Sequence, residues 1–78
     1  MYQLTAEHIT QSTAIKLIDN STIDIVHARM DDTFTSLVHI VVDTKEDAEA
    51  MRALLWEANG GAYCDMSTIT EDELEEYL

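Results

Sequence analysis

The sequence predicts an α+β fold, in which a small antiparallel β-sheet of two to three strands is packed by a main helix at about 45–58 and a short C-terminal helix at about 71–77. Three observations carry this prediction. Lys45 to Ala58 has helical periodicity between a capping threonine and an Asn-Gly stop, two β-branched runs flank turn chemistry before it, and a capping box opens the C-terminal segment.

The main helix is the clearest element. Thr44 can accept a hydrogen bond from an otherwise unpaired N–H of the first turn, and Asp47 stands at the third helical position. Asn59-Gly60 supplies the stop, because both residues tolerate the left-handed backbone that ends helices. Ala48, Met51, Leu54, Leu55 and Ala58 form the stripe expected to be buried. Met51 belongs to that stripe and is read as core packing rather than as part of a cofactor site.

Ser36 to Asp43 is β-branched and apolar on both faces, as suits a central strand covered by helix. Ile23 to Met30 is a second strand, and Asp31-Asp32-Thr33 between the two supplies turn residues, so an antiparallel hairpin is expected. Thr13 to Ile18 is either a third strand, joined through Asp19-Asn20-Ser21, or the end of an N-terminal helix capped by Thr5. Ile9, Ala14, Ile15, Leu17 and Ile18 spread around a helical wheel instead of forming one stripe, which favours the strand and leaves residues 5–12 open. At the C-terminus, Thr70 and Glu73 have capping-box spacing, with Ile69 and Leu74 placed to form the hydrophobic staple across it. Leu74, Tyr77 and Leu78 share a face at i, i+3 and i+4.

Residues 1–78 make one compact domain. A chain of this size buries only about 60% of its unfolded surface, so its stability is marginal. Cys64 is the only cysteine, so no disulfide can close within the chain. A lone cysteine, and an N-terminal Met1 to Thr5 without a basic region and apolar run, lead to the expectation of a reducing cytoplasm. The longest apolar run, around Ile40-Val41-Val42, is far short of the roughly 20 residues of a membrane-spanning helix.

The dominant chemical feature is charge. Sixteen acids stand against four bases, a formal charge of −12, and the apolar fraction of 46% is that of a folded domain and not of a disordered chain. Nucleic acid and anionic lipid both require a basic footprint that is missing here. From Glu57 to Leu78 there is no base at all. The expected partner is a basic protein surface, that of a nucleic-acid-binding protein, with neither nucleic acid nor membrane bound directly and with a homodimer left open.

Glu71, Asp72, Glu73, Glu75 and Glu76 are the leading partner-binding candidates. Like charges at i, i+4, Glu71 with Glu75 and Asp72 with Glu76, oppose helix formation. The helix dipole offsets this for the first three residues but not for Glu75 and Glu76. Tyr77 and Trp56 join the set as aromatic anchors of the kind enriched in interfaces, although Arg52, one turn before Trp56, could instead hold the indole by a cation–π contact. Asp31 and Asp32 serve turn geometry or extend the negative surface. The alternative for the whole acidic face is solubility alone.

Other chemistries find little support. His8, His27 and His39 have no close ligand spacing and Cys64 has no cysteine partner, so no metal is expected, and His39 is read as a hydrogen-bonded histidine within the sheet. No EF-hand loop occurs. Cys64 lies among acids that would raise its pKa, and no Gly-x-Ser-x-Gly, phosphate loop or dinucleotide fingerprint is present, so neither an enzyme nor a cofactor is expected.

Asp24-Ile25-Val26-His27, leading to Asp31-Asp32, is similar to a stretch of the uracil-DNA glycosylase inhibitor. In composition the chain resembles the small acidic phage proteins that block nucleic-acid enzymes by imitating DNA, some anti-CRISPR proteins among them. No functional residue of that class is matched beyond this stretch, and none is carried over. The expectation is an acidic inhibitor or regulator that occludes a nucleic-acid-binding surface. The alternative is a structural or adaptor module that self-associates through its sheet or its Trp56 face.

Overall fold

The computed structural model describes residues 1–31 and 36–76. The chain runs β1 (Tyr2–Ala6), α1 (Gln11–Asn20), β2 (Ile25–Asp31), β3 (Leu37–Val42), α2 (Lys45–Ala58), β4 (Cys64–Thr68) and α3 (Glu71–Glu75). The four strands form one sheet in the order β2-β3-β1-β4, with every neighbouring pair antiparallel. Two split β-α-β units, β1-α1-β2 and β3-α2-β4, thus interleave, which is the ferredoxin-like arrangement.

The α+β class and antiparallel sheet agree with the sequence expectation, but the sheet has four strands and not two to three. Thr13 to Ile18 lies within α1 and is not a strand. The helical wheel misled because it included two residues that do not belong to the stripe: Ile9 is buried but precedes the helix, and Ile15 is 51% exposed. Without them, Ala14, Leu17 and Ile18 stand at i, i+3 and i+4 and face the core. The cap is Thr10 and not Thr5, its hydroxyl accepting from the Thr13 N–H at 3.3 Å.

The two unforeseen strands, β1 and β4, are short. Each alternates, with Tyr2, Leu4 and Ala6, or Cys64 and Met66, facing the helices, and with Gln3 and Thr5, or Asp65 and Ser67, facing away. Strand β1 lies in the middle of the sheet between β3 and β4, so the start of the described chain is held by ladders on both sides.

The core lies between one face of the sheet and the two long helices. Leu4, Ala6, Val38, Ile40 and Val42 from the sheet meet Ala14, Ala48, Met51 and Leu55 from the helices. Each fully buried large side chain here contributes about 1.5–3 kcal/mol. Helix α2 has the expected bounds, and Thr44 accepts from the Asp47 N–H at 3.2 Å. Its stripe ends one turn sooner than expected, because Ala58 is exposed.

Helix α3 opens with the expected capping box. The Thr70 hydroxyl accepts from the Glu73 N–H at 3.2 Å, while a Glu73 carboxylate oxygen accepts from the Thr70 N–H at 3.3 Å. Ile69 is buried and Leu74 half-buried, and the helix ends at Glu75. Asp31, expected in the hairpin turn, is the last residue of β2 and pairs with Leu37. Asp32 and Thr33 of that turn, and Tyr77 and Leu78 of the last helix, lie outside the described residues. No helix of the described residues is long and apolar enough to cross a membrane.

Candidate functional site

The acids lie on the outside. Asp19, Asp24, Asp43, Glu46, Glu49, Glu57 and Asp65 are exposed, as are Glu71, Asp72, Glu73 and Glu75 of α3 and Glu76 at its C-cap. Only Glu7, Asp31 and Asp47 among the described acids are half-buried.

The seven described residues among those singled out from sequence do not form one patch. Helix α2 climbs along the sheet and delivers Trp56 to the end where β4 begins, whereas α3 follows the other end of β4. A five-residue strand separates the two by about 17 Å. Asp31 is farther still, at the opposite edge strand, in the row of Leu37, while Thr68, just before α3, shares its row with Tyr2, Val42 and Ile25. The α3 acids therefore stand alone as a continuous carboxylate surface, and Trp56 belongs to a separate feature. Asp32 and Tyr77 are outside the described residues.

Trp56 is half exposed, and its ring packs on the second glycine of the turn that follows α2. Gly60 and Gly61 both have positive φ, 67° and 76°, which reverse the chain after α2. The indole lies against Gly61 so closely that a Cβ there would sit 3.2 Å from Cε2 and Nε1 of the ring. Asn59 completes the corner. Its Nδ2 donates to the carbonyls of Glu7 at 3.0 Å and Tyr63 at 2.6 Å, and its Oδ1 accepts from the Gly61 N–H at 3.1 Å. Trp56 thus presents a fixed ring face beside a shallow groove of about 470 Å³ lined by Glu49, Arg52 and Ala53.

A second surface was not foreseen. Both long helices pack on one side of the sheet, and the strand registers align polar residues on the other. Arg29, His39, Thr5 and Asp65 form one row across all four strands, and His27, Val41, Gln3 and Ser67 form the next. Around His39, the Thr5 hydroxyl of its own row lies 3.1 Å from Nδ1, and the Gln3 amide nitrogen of the next row lies 3.2 Å from the same atom. An amide nitrogen only donates, so Nδ1 is the acceptor and the ring proton resides on Nε2. Burial pushes the His39 pKa down, the Arg29 guanidinium lowers it further, and Asp31 partly opposes them. In the second row, Nε2 of His27 is buried and has no hydrogen-bond partner among the described residues. The sequence signal for this face was the alternation of His27, Arg29 and Asp31, but only the strand order places Arg29 in one row with His39, Thr5 and Asp65.

Among the described residues, no three of His, Cys, Asp and Glu are grouped to hold a metal ion. His27 pairs with Val41, and it is Arg29 that pairs with His39, so strand pairing does not set the two histidines opposite each other. Cys64 is buried on the helix side, where burial raises its pKa, Arg52 partly counters this and Asp65 adds to it. A thiol in that state is a packing group and a poor nucleophile. No family model, curated protein or solved structure matches this chain.

Proposed function

We propose that this chain is a small acidic inhibitor or regulator, of the phage-encoded DNA-mimic or anti-CRISPR type, that binds a partner protein and occludes its basic nucleic-acid-binding surface. The observation that carries this is the exposure of the four acids of α3 and of Glu76 at its C-cap, in a stretch that has no base from Glu57 onward. Side chains one turn apart on a helix have Cβ atoms roughly 5–6 Å apart, so their carboxylates make a dense row of negative charge, as phosphates do along a nucleic-acid strand. Local structure does not require them all. Glu73 completes the capping box and the first turn favours acids through its dipole, but Glu75 and Glu76 carry charge where neither effect reaches.

Binding would be fast and steered by charge, with the long-range field setting the association rate and short contacts setting residence. The test is a variant with Glu71→Gln, Asp72→Asn, Glu73→Gln, Glu75→Gln and Glu76→Gln, compared with the wild type for capture of basic proteins from a nuclease-treated bacterial lysate. Loss of capture by a folded variant supports the proposal. Unchanged capture excludes α3 as the contact.

A further inference from the structure

On one flank of α2, Lys45, Glu49, Arg52 and Trp56 follow one another at intervals of four, three and four residues, the spacing of a single helical stripe. All four are exposed. Their neighbours identify the flank as the one nearer β4. The Trp56 ring lies on Gly61 in the turn into β4 and the Arg52 charge reaches the Cys64 thiol, whereas Leu54 and Ala58 line a groove with α1 on the opposite flank. Strand β4 is the last of the sheet on this side, so no described strand extends past the stripe.

The stripe reads cation, anion, cation, aromatic ring, and that order is self-complementary. A two-fold axis perpendicular to α2, level with the midpoint between Ala50 and Met51, sets two copies of the helix antiparallel. Glu49 then stands level with Arg52 of the other copy, and Lys45 level with Trp56. We infer that a second copy of this chain packs against this flank of α2, so that Glu49 of each copy pairs with Arg52 of the other and Lys45 of each lies on the Trp56 ring of the other.

Three observations favour this occupant. First, the groups are available. Lys45, Glu49 and Arg52 make no ion pair, side-chain hydrogen bond or ring contact among the described residues, although their spacing would allow pairing along the helix. Second, the charges fit a second copy better than a foreign surface. Two of the chain's four bases stand here around one acid. An acidic surface would meet Glu49 and a basic one would meet Lys45 and Arg52, whereas a second copy gives all three a complement. Third, the aromatic anchor is fixed and open. Trp56 is half exposed while Gly61 holds its ring, and the groove of about 470 Å³ that it shares with Glu49, Arg52 and the small Ala53 can receive the second copy's side chains.

The contact is small. Helix α2 has 14 residues and is about 21 Å long, and the stripe covers only one of its flanks. A single helix pair of this length belongs with weak, transient associations, so dissociation in the micromolar range or weaker is expected.

The test is sedimentation equilibrium of the whole chain from about 10 µM to 1 mM, at about 150 mM NaCl to screen the repulsion between two chains of charge −12. Trp56 is the only tryptophan, so its emission reports on this flank alone. Wild type should form a concentration-dependent dimer, with the emission moving to shorter wavelength over the same range as the indole leaves water. Glu49→Arg and Arg52→Glu, both at exposed helical positions, should leave the fold intact while each weakens the dimer at least tenfold by setting like charges opposite one another. Mixing the two variants should restore dimers, because the introduced arginine of one copy then meets the introduced glutamate of the other, while the native Arg52 still meets the native Glu49. A wild type that stays monomeric to 1 mM overturns the inference and leaves the stripe to a partner of another kind. A dimer whose tryptophan emission does not move, or a Glu49→Arg variant that dimerises as well as wild type, places the contact elsewhere and overturns it too. The α3 acids take no part in this contact, so it stands or falls separately from the proposed function.

Discussion

Nδ2 of Asn59 donates to the carbonyl of Glu7 at 3.0 Å, joining the end of α2 to the end of β1 across 52 positions of sequence. The same amide group holds the Tyr63 carbonyl and the Gly61 N–H. The corner that turns α2 into β4 therefore hangs on one side chain. Asn59→Ala removes three hydrogen bonds to backbone groups and should destabilise the fold by about 2 kcal/mol, measured by urea unfolding. A change below about 0.5 kcal/mol would show that the corner holds without it.

Gly61 has a φ of 76° and carries the Trp56 ring on its Cα. Gly61→Ala combines a left-handed backbone with a 3.2 Å contact to the indole, so a loss of about 1–2 kcal/mol and a changed tryptophan emission maximum are expected together. Gly60→Ala meets the same backbone cost, but no atom lies within 4 Å of the added carbon. It should cost stability without moving the emission. Equal spectral change in both variants would contradict the stacking.

His39 gives a pH dependence whose sign follows from its surroundings. Its folded pKa is lowered, by burial first and then by Arg29. The unfolded chain therefore takes up the proton more readily, and stability should fall as pH drops through the ordinary histidine range, from about 7 towards 5. Protonation also places a hydrogen on Nδ1, where the Gln3 amide now donates. His39→Gln cannot titrate and should flatten that slope in thermal melts. An unchanged slope would assign the effect to other groups.

Cys64 is buried with its pKa raised. Its reaction with a disulfide reagent at about pH 8 should be much slower in the native chain than in urea, because both access and thiolate formation oppose it. Native labelling as fast as that of the unfolded chain would contradict its placement under α2 and beside β1.

The parts of the fold legible in the sequence are those written in local chemistry. Thr44, Thr70 and Glu73 announce caps that the structure contains, and the β-branched run through Ile40-Val41-Val42 announces a central strand. Strand β1 was missed because a five-residue alternation such as Tyr2 to Ala6 becomes a strand only through ladders to β3 and β4, both distant in sequence. Helix α1 was misread because burial of Ile9 and exposure of Ile15 are set by tertiary position and not by periodicity. The α3 acids could be picked out from charge and spacing alone. The row from Arg29 to Asp65 could not, since it exists only once four strands have taken their order.

In the proposed binding mode, charge on α3 meets a basic nucleic-acid-binding surface. Neutralising Glu75 and Glu76 to Gln should leave the fold unchanged or stabilise it by a few tenths of a kcal/mol, because repulsion from Glu71 and Asp72 at i, i+4 is relieved. Any loss of binding can then be assigned to contact and not to unfolding.

The most direct test is to immobilise the wild-type chain, capture its partner from a nuclease-treated lysate, and measure the affinity of the purified pair at about 50 and 500 mM NaCl, with and without double-stranded DNA. A basic protein whose affinity drops at least tenfold with salt, and which DNA displaces, is the expected result. A partner held equally well at both salt concentrations and indifferent to DNA would contradict the proposed mode.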